Sequence, residues 1–381
     1  MRRVPVAWLN LLHERTRLGV AIAGVAFAVL LIFMNLGFLG ALLSTTTNFY
    51  DQFNADLFLM SPQSLEISTT EPFPRERLYQ IAGVEGVQYA MPLYSDYLLW
   101  RNPETRESRA MFTYGINPDD PAFLMPELQS PASRQRLAQP NSVFIDRRSR
   151  PEFGPQAVGT ETEADRRRVT IVGSYALGGG FAADGTAIMS DQNFMRYFAP
   201  RDLTQINLGL IKLEPGAPLE KTAETLRRLL PSDVNVYTKA GIIEHDRRYW
   251  LQSTSIGFIF SLGVLVSFIV GTVIVYQILF TDIREHLPEY ATMKAMGYRS
   301  QYLFKIVLQE AVILAVLGYV PGLIIALGLY ELTVRATAGT LPMQMNLGRV
   351  LFVLGLSLLM CMLSGLISVR KAIAADPVEV F

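Results

Sequence analysis

The chemistry open to this chain is bounded by its lysines, histidines and cysteine. A phosphate-binding loop of the Gly-Lys-Ser/Thr kind holds its ligand with backbone amides and one ammonium. None of the six lysines, Lys212, Lys221, Lys239, Lys294, Lys305 and Lys371, follows a glycine, so the usual ATP site is missing. The three histidines, His13, His245 and His286, are too few and scattered for a zinc pair, and no nucleophile elbow is present. Cys361 stands alone inside an apolar run, which excludes an intramolecular disulfide and a thiolate cluster. The expectation is a chain with no catalytic residues, no metal and no cofactor of its own.

Two other features invite a ligand reading. Arg147-Arg148 and Arg166-Arg167-Arg168 are basic runs, read here as solvated surface. Gly178-Gly179-Gly180 follows the strand-like Val169 to Tyr175, but no helix signal opens after it, so it reads as a flexible turn rather than a phosphate cradle.

One short stretch has the composition of an interaction element. Thr281 to Tyr298 mixes charges with apolar residues over too short a length to cross a membrane; Pro288 suits a helix's first turn and Gly297 its end. The side chains that would meet a partner are Glu289, Tyr290, Met293, Lys294 and Met296, closed by Gly297. Pattern alone leaves two readings open, a helix docked in a partner's groove and a helix lying on lipid.

The elements around it are apolar. Half of the 381 residues are hydrophobic, while Lys+Arg and Asp+Glu balance at 34 each, so net charge argues for no nucleic-acid partner. Leu18 to Leu43, Ile256 to Phe280, Ile306 to Tyr330 and Val350 to Val369 each reach the ~20 residues that cross a bilayer. The first is far longer than a signal-peptide core and is read as an uncleaved anchor. Segments 1–17, 281–305 and 370–381 hold ten Lys/Arg against two in 331–349, which predicts a multi-pass protein with both termini cytoplasmic. Glu310, the one charge within these runs, is expected to snorkel to the cytoplasmic interface. Gly318-x-x-x-Gly322 with Pro321 suits close helix packing or a kink.

Residues 44–255 then form an external domain. Ala55 to Met60, Pro74 to Ala82 and Gly86 to Trp100 read as strand, helix and strand, and Ile206 to Leu213, Pro218 to Leu230 and Val234 to Tyr237 repeat the order. Two such units predict a split βαβ, ferredoxin-like α+β core, with about 101–205 as an insert. The flanks around Asn48 and Arg247 lack proline from Thr45 to Asp51 and from Ile242 to Ser255, so both are expected to continue spans 1 and 2 as mechanical stems.

The stretch Glu289 to Gly297, the layout of one span, a large external domain and three spans, Gln309-Glu310-Ala311, and Arg370-Lys371-Ala372 followed by Asp376-Pro377-x-Glu379 together resemble the FtsX/MacB-like permease family. Over nearly its whole length, including Ala7 to Leu11 and Gly19 to Gly40, the chain looks most like the DevC-type permeases of heterocyst glycolipid exporters. The resemblance implies a homodimer in the inner membrane with two copies of a separate ABC ATPase subunit, which binds the ATP. It also implies a coupling role for Glu289 to Met296, a periplasmic adaptor, a TolC-like outer-membrane channel and a lipid or amphiphilic cargo. Unlike MacB itself, the chain carries no fused ATPase. An FtsX-type signalling permease, a lipoprotein-releasing permease and a membrane receptor without transport are the alternatives.

Overall fold

The computed structural model describes Trp8 and residues 15–178, 183–286, 292, 296, 300–337 and 341–374. They fall into two compact units, one of residues 1–40, 255–333 and 343–381, the other of 41–254 and 334–342.

Four helices are long and apolar enough to cross a membrane: the helical stretch Arg15–Gln52, Ser255–Glu285, Phe304–Ala336 and Leu347–Arg370. They are spans 1 to 4. Each runs past the apolar stretch read from sequence. Because lipid offers no hydrophobic drive between helices, small residues and hydrogen bonds must hold a bundle together. Both are present in the first unit. Ser364 Oγ donates to Thr272 O at 2.8 Å, Tyr319 Oη to Val350 O at 2.8 Å, and Tyr330 Oη to Phe33 O. A Cβ on Gly322 would lie 2.8 Å from the Ala26 carbonyl oxygen, and one on Gly318 3.2 Å from that of Ile22, so this pair lets spans 1 and 3 approach closely. Span 3 stays a single helix through Pro321.

Glu310 departs from expectation. Its side chain is fully buried rather than drawn out to the interface. The reason is its face: Ile306, Val307, Ala311 and Leu314 around it on the same helix are all buried in the bundle.

The second unit is built on a nine-stranded mixed sheet. Its strands are β1 (Leu57–Met60), β3 (Val87–Arg101), β4 (Ser108–Ile116), β5 (Ser142–Asp146), β6 (Glu161–Ala164), β7 (Arg167–Tyr175), β8 (Thr186–Ser190), β10 (Leu208–Leu213) and β11 (Asn235–Thr238). A separate pair joins β2 (Phe73–Pro74) and β9 (Gln205–Ile206). The order β11-β1-β10-β3, with β10 antiparallel to both neighbours and helices Glu76–Ile81 and Leu219–Leu229 as the crossovers, is the ferredoxin-like core expected from the repeated β-α-β order.

The insert between β3 and β10 closes on itself. From β3 the sheet continues β4-β8-β5-β7-β6, and Ala164 of β6 pairs back to Trp100 of β3. One long strand serves both halves, because the 15 residues of β3 present Leu93 to Val87 to β10 and Leu93 to Arg101 to β4. Trp100 is buried at this closure with its indole N–H donating to Phe153 O at 3.1 Å.

Alternation divides the core. Leu57 and Leu59 of β1 face the two crossover helices through Leu78, Ile81, Ala223 and Leu226. Phe58 and Met60 face the other way, into an aromatic cluster with Phe49, Tyr50, Phe53, Tyr114 and Phe123, and onto Ile242 of helix Lys239–Gln252.

Candidate functional site

The α-helix of span 1 ends at Thr45, where four successive hydroxyl side chains stand at 44–47. Ser44 and Thr45 donate to Ala41 O at 3.1 and 2.9 Å, Thr46 to Leu42 O at 2.9 Å and Thr47 to Leu43 O at 2.7 Å. Leu42 O also takes the Thr46 amide at 3.1 Å, but the Thr47 amide goes to Ser44 O at 3.3 Å and leaves Leu43 O to the Thr47 hydroxyl, and the chain turns before a 3-10 helix, Asn48–Gln52. A stretch of 38 residues also exceeds by far the ~20 that a bilayer requires, so part of it lies outside the hydrocarbon core.

The approach to span 2 breaks as well. Helix Lys239–Gln252 is capped at its start by Thr238 Oγ1, which accepts from Gly241 N at 3.1 Å, and it stops before Ser253 and Thr254. Span 2 then starts at Ser255. The expectation of stems running as unbroken helices into both spans is therefore corrected. Asn48 and Arg247, the residues read as stem markers, are both exposed.

Their neighbours are not. Tyr50 and Asp246 are fully buried, and Tyr50 Oη donates to Asp246 Oδ2 at 2.6 Å. His245 Nδ1 lies 3.1 Å from Asp246 Oδ1. Two segments thus meet in this bond, the 3-10 turn after span 1 and the helix before span 2. Aromatic rings seal the place, Phe58 standing edge-on to Tyr50 at 5.4 Å and Phe49 4.3 Å away. Water is excluded, which strengthens the hydrogen bond and raises the cost of breaking it.

A second buried acid adjoins. Glu66, 1% exposed, accepts from the Ser68 hydroxyl through Oε1, while Oε2 has no hydrogen-bond partner. Burial pushes both carboxyls above the usual carboxylate range. For Glu66 the Ser68 hydroxyl and amide pull the other way and Asp246 adds to the rise; for Asp246 the bonds from His245 and Tyr50 counter part of it.

Sequence reading reached the right segments and missed the side chains that join them. The signal was available in one stem: Ile242, Asp246 and Trp250 follow at i, i+4 and i+8, which puts an acid on the buried stripe of a helix. Nothing in the first stem separates Tyr50 from the other aromatics around it.

The other predicted element is only framed. Glu289, Tyr290, Met293, Lys294 and Gly297 lie outside the described residues. Met296 is exposed, and its amide donates to Thr292 O at 3.0 Å. At the edge of this segment Glu285 forms a two-pronged ion pair with Arg17, fixing the ends of spans 1 and 2 together. The basic runs find acids: Arg147 meets Glu127 at 2.8 Å, and Arg168 pairs with Glu161. Gly178 donates to Asp146 Oδ2 at 2.6 Å, while Gly179 and Gly180 lie outside the described residues. Among the described residues no cluster of His, Cys, Asp and Glu has the makings of a metal site.

Residues 257–377 match the family described as FtsX-like permease C-terminal. That match covers spans 2 to 4 and supports a permease. No curated protein matches the chain. Among solved structures, the periplasmic region of MacB from Actinobacillus actinomycetemcomitans is similar at 10% identity and a TM-score of 0.37, over 50% of this chain and 92% of that one. The extracellular domain of YknZ, a noncanonic ABC-type transporter from Gram-positive bacteria, is similar at 14% identity and 0.35, over 49% and 100%. A domain of a putative permease from Porphyromonas gingivalis follows at 12% and 0.29, over 49% and 89%.

Proposed function

We propose that this chain is the permease subunit of a MacB-like tripartite ABC exporter, carrying ATP-driven motion from a separate ATPase subunit to a periplasmic domain. Spans 2 to 4 and the segment between spans 2 and 3 supply the cytoplasmic end of the path, with Glu289, Tyr290, Met293, Lys294 and Met296 against the ATPase. The observation that carries the reading is the FtsX-like permease match over 257–377, a stretch that contains this whole segment. Two further features agree with it: the lysines leave no P-loop in the chain, and an α+β domain stands between spans 1 and 2.

ATP binding draws two ATPase subunits together and shifts the segment held between Glu285 and Ser300; the spans carry the displacement outward. Export then proceeds with an adaptor and a TolC-like outer channel, the permease acting as a homodimer with both termini cytoplasmic. The cargo class is a lipid or amphiphile of the glycolipid kind, in line with the DevC-type resemblance.

Co-purification of the tagged chain with its ATPase subunit, followed by ATP turnover in lipid nanodiscs, tests this. The combined change Lys294→Glu and Glu289→Lys is expected to leave the chain folded and inserted while cutting stimulated turnover severalfold. ATP hydrolysis by the purified chain alone, or stimulation untouched by the double change, refutes the division of labour.

A further inference from the structure

Turns at Thr46-Thr47 and Ser253-Thr254 interrupt the two stems, so neither is a rigid rod. A displacement arriving along one span would be absorbed there unless something beyond the breaks ties the stems to each other. The described residues contain such a tie. Tyr50 follows the end of the span 1 α-helix by five residues, and Asp246 precedes the start of span 2 by nine. Their side chains meet at 2.6 Å in a sealed aromatic pocket. Phe58 of β1 stands edge-on to the Tyr50 ring at 5.4 Å, so the tie is packed against the sheet as well.

We infer that the Tyr50–Asp246 hydrogen bond is the junction at which the two stems are made to move as one body with β1, and that Tyr50 and Asp246 are positioning residues of the force path. The inference rests on the permease reading above and adds to it the side chains that pass motion into the external domain. A bond between a hydroxyl and a carboxylate suits the task. It is short and directional, it resists shear better than apolar contact, and burial keeps water from substituting for either partner. The stem markers Asn48 and Arg247 stand exposed on either side of it.

A merely structural hydroxyl would make the same static contact, so the test needs a matched control. Tyr175 provides one: its Oη donates to Thr186 Oγ1 at 2.9 Å, both residues are buried, and both belong to strands of the insert rather than to the stems. The full chain is assembled with its co-purifying ATPase subunit in lipid nanodiscs, and amide hydrogen exchange is compared without nucleotide and after trapping with ATP and vanadate.

Wild type is expected to change exchange at least threefold in 48–52, 239–252 and β1 on trapping. Tyr50→Phe should lose that change in 239–252 and β1, whereas Tyr175→Phe, which removes a comparable buried hydroxyl, should keep it. Asp246→Asn, which retains an acceptor oxygen for Tyr50, should keep more of the change than Asp246→Ala. The inference is overturned if Tyr50→Phe transmits the change as wild type does, or if Tyr175→Phe abolishes it equally. If the wild-type complex neither hydrolyses ATP faster than the ATPase alone nor changes exchange on trapping, the permease reading itself falls and takes this inference with it. The control on the wild-type complex thus separates the two failures.

Discussion

Tyr50→Phe removes one oxygen from a sealed site and leaves the ring, so its effect on local stability follows from a single hydrogen bond. A bond to a charged group contributes about 1.5–3 kcal/mol, and a buried partner left short of a donor adds to the loss. Asp246 keeps His245 at 3.1 Å, which holds the penalty near the lower part of that range, about 2 kcal/mol. At 1.4 kcal/mol per decade this is roughly a thirtyfold rise in the opening equilibrium. Native-state amide exchange on the full chain in nanodiscs, without nucleotide, reads it directly at 49–53 and 242–250. The substitution should speed exchange in both segments together, because each holds the other. In an Asp246→Ala background the same substitution should cost under about 0.5 kcal/mol, since its partner is already gone. Equal costs in the two backgrounds would show that Tyr50 acts through ring packing, and a wild-type-like rate in 242–250 would show that the stems are not tied.

Burial raises the carboxyls of Glu66 and Asp246, so the folded domain binds their protons at a pH where the unfolded chain releases them. The stability this contributes is present below the unfolded value and is lost as pH rises through the folded one. Mild acidification from neutrality should therefore slow exchange, corrected for intrinsic rates, around the clasp, and Glu66→Gln should flatten that dependence; a wild-type profile unchanged by Glu66→Gln refutes the assignment. Gly322→Leu should lower the melting temperature of the solubilised chain, as overpacking costs about 1–3 kcal/mol where the Ala26 carbonyl cannot yield. Gly328→Ala, which meets nothing within 4 Å, should not. For orientation, Gln135→Cys offers an exposed reporter in the external domain, whereas neighbouring Ser133 is buried and native Cys361 is hidden in the bundle. An impermeant maleimide should label it in intact cells with a permeabilised outer membrane; protection there until the inner membrane is opened reverses the topology.

Much of the architecture was legible because its signals are local. Twenty apolar residues in a row state a span without reference to anything else. The ferredoxin-like order emerged because each β-α-β unit is contiguous, and the amphipathic Leu219–Leu229 carries its buried stripe in plain sight at Ala223 and Leu226. The closed ring of the insert was not legible, since it depends on Trp100 meeting Ala164 across 64 positions and on the parallel pairs β4–β8 and β5–β7, none of which leaves a mark in either strand alone. Glu310 was misjudged for a related reason. Depth along a helix can be counted in sequence, but which face the bundle covers is decided by the neighbouring helices.

The stems show what such limits mean for function. Absence of proline allows a helix to continue, yet continuation also needs the terminal carbonyls to find amides four residues on. The Thr46 amide still reaches Leu42 O, but the Thr47 amide turns to Ser44 O while its hydroxyl takes Leu43 O, and a break follows that a proline rule cannot see. Once the rods are broken, transmission has to be assigned to contacts between segments rather than to stiffness along one. Tyr50 and Asp246 stand 196 positions apart and belong to elements that sequence treats separately, so only the fold reveals that the acid on a buried helical stripe has a partner. The same reasoning gives the acid its cost and its use. An aspartate at that position without Tyr50 would be a buried acid left with His245 alone, and in the proposed force path the same bond is what ties one stem to the other.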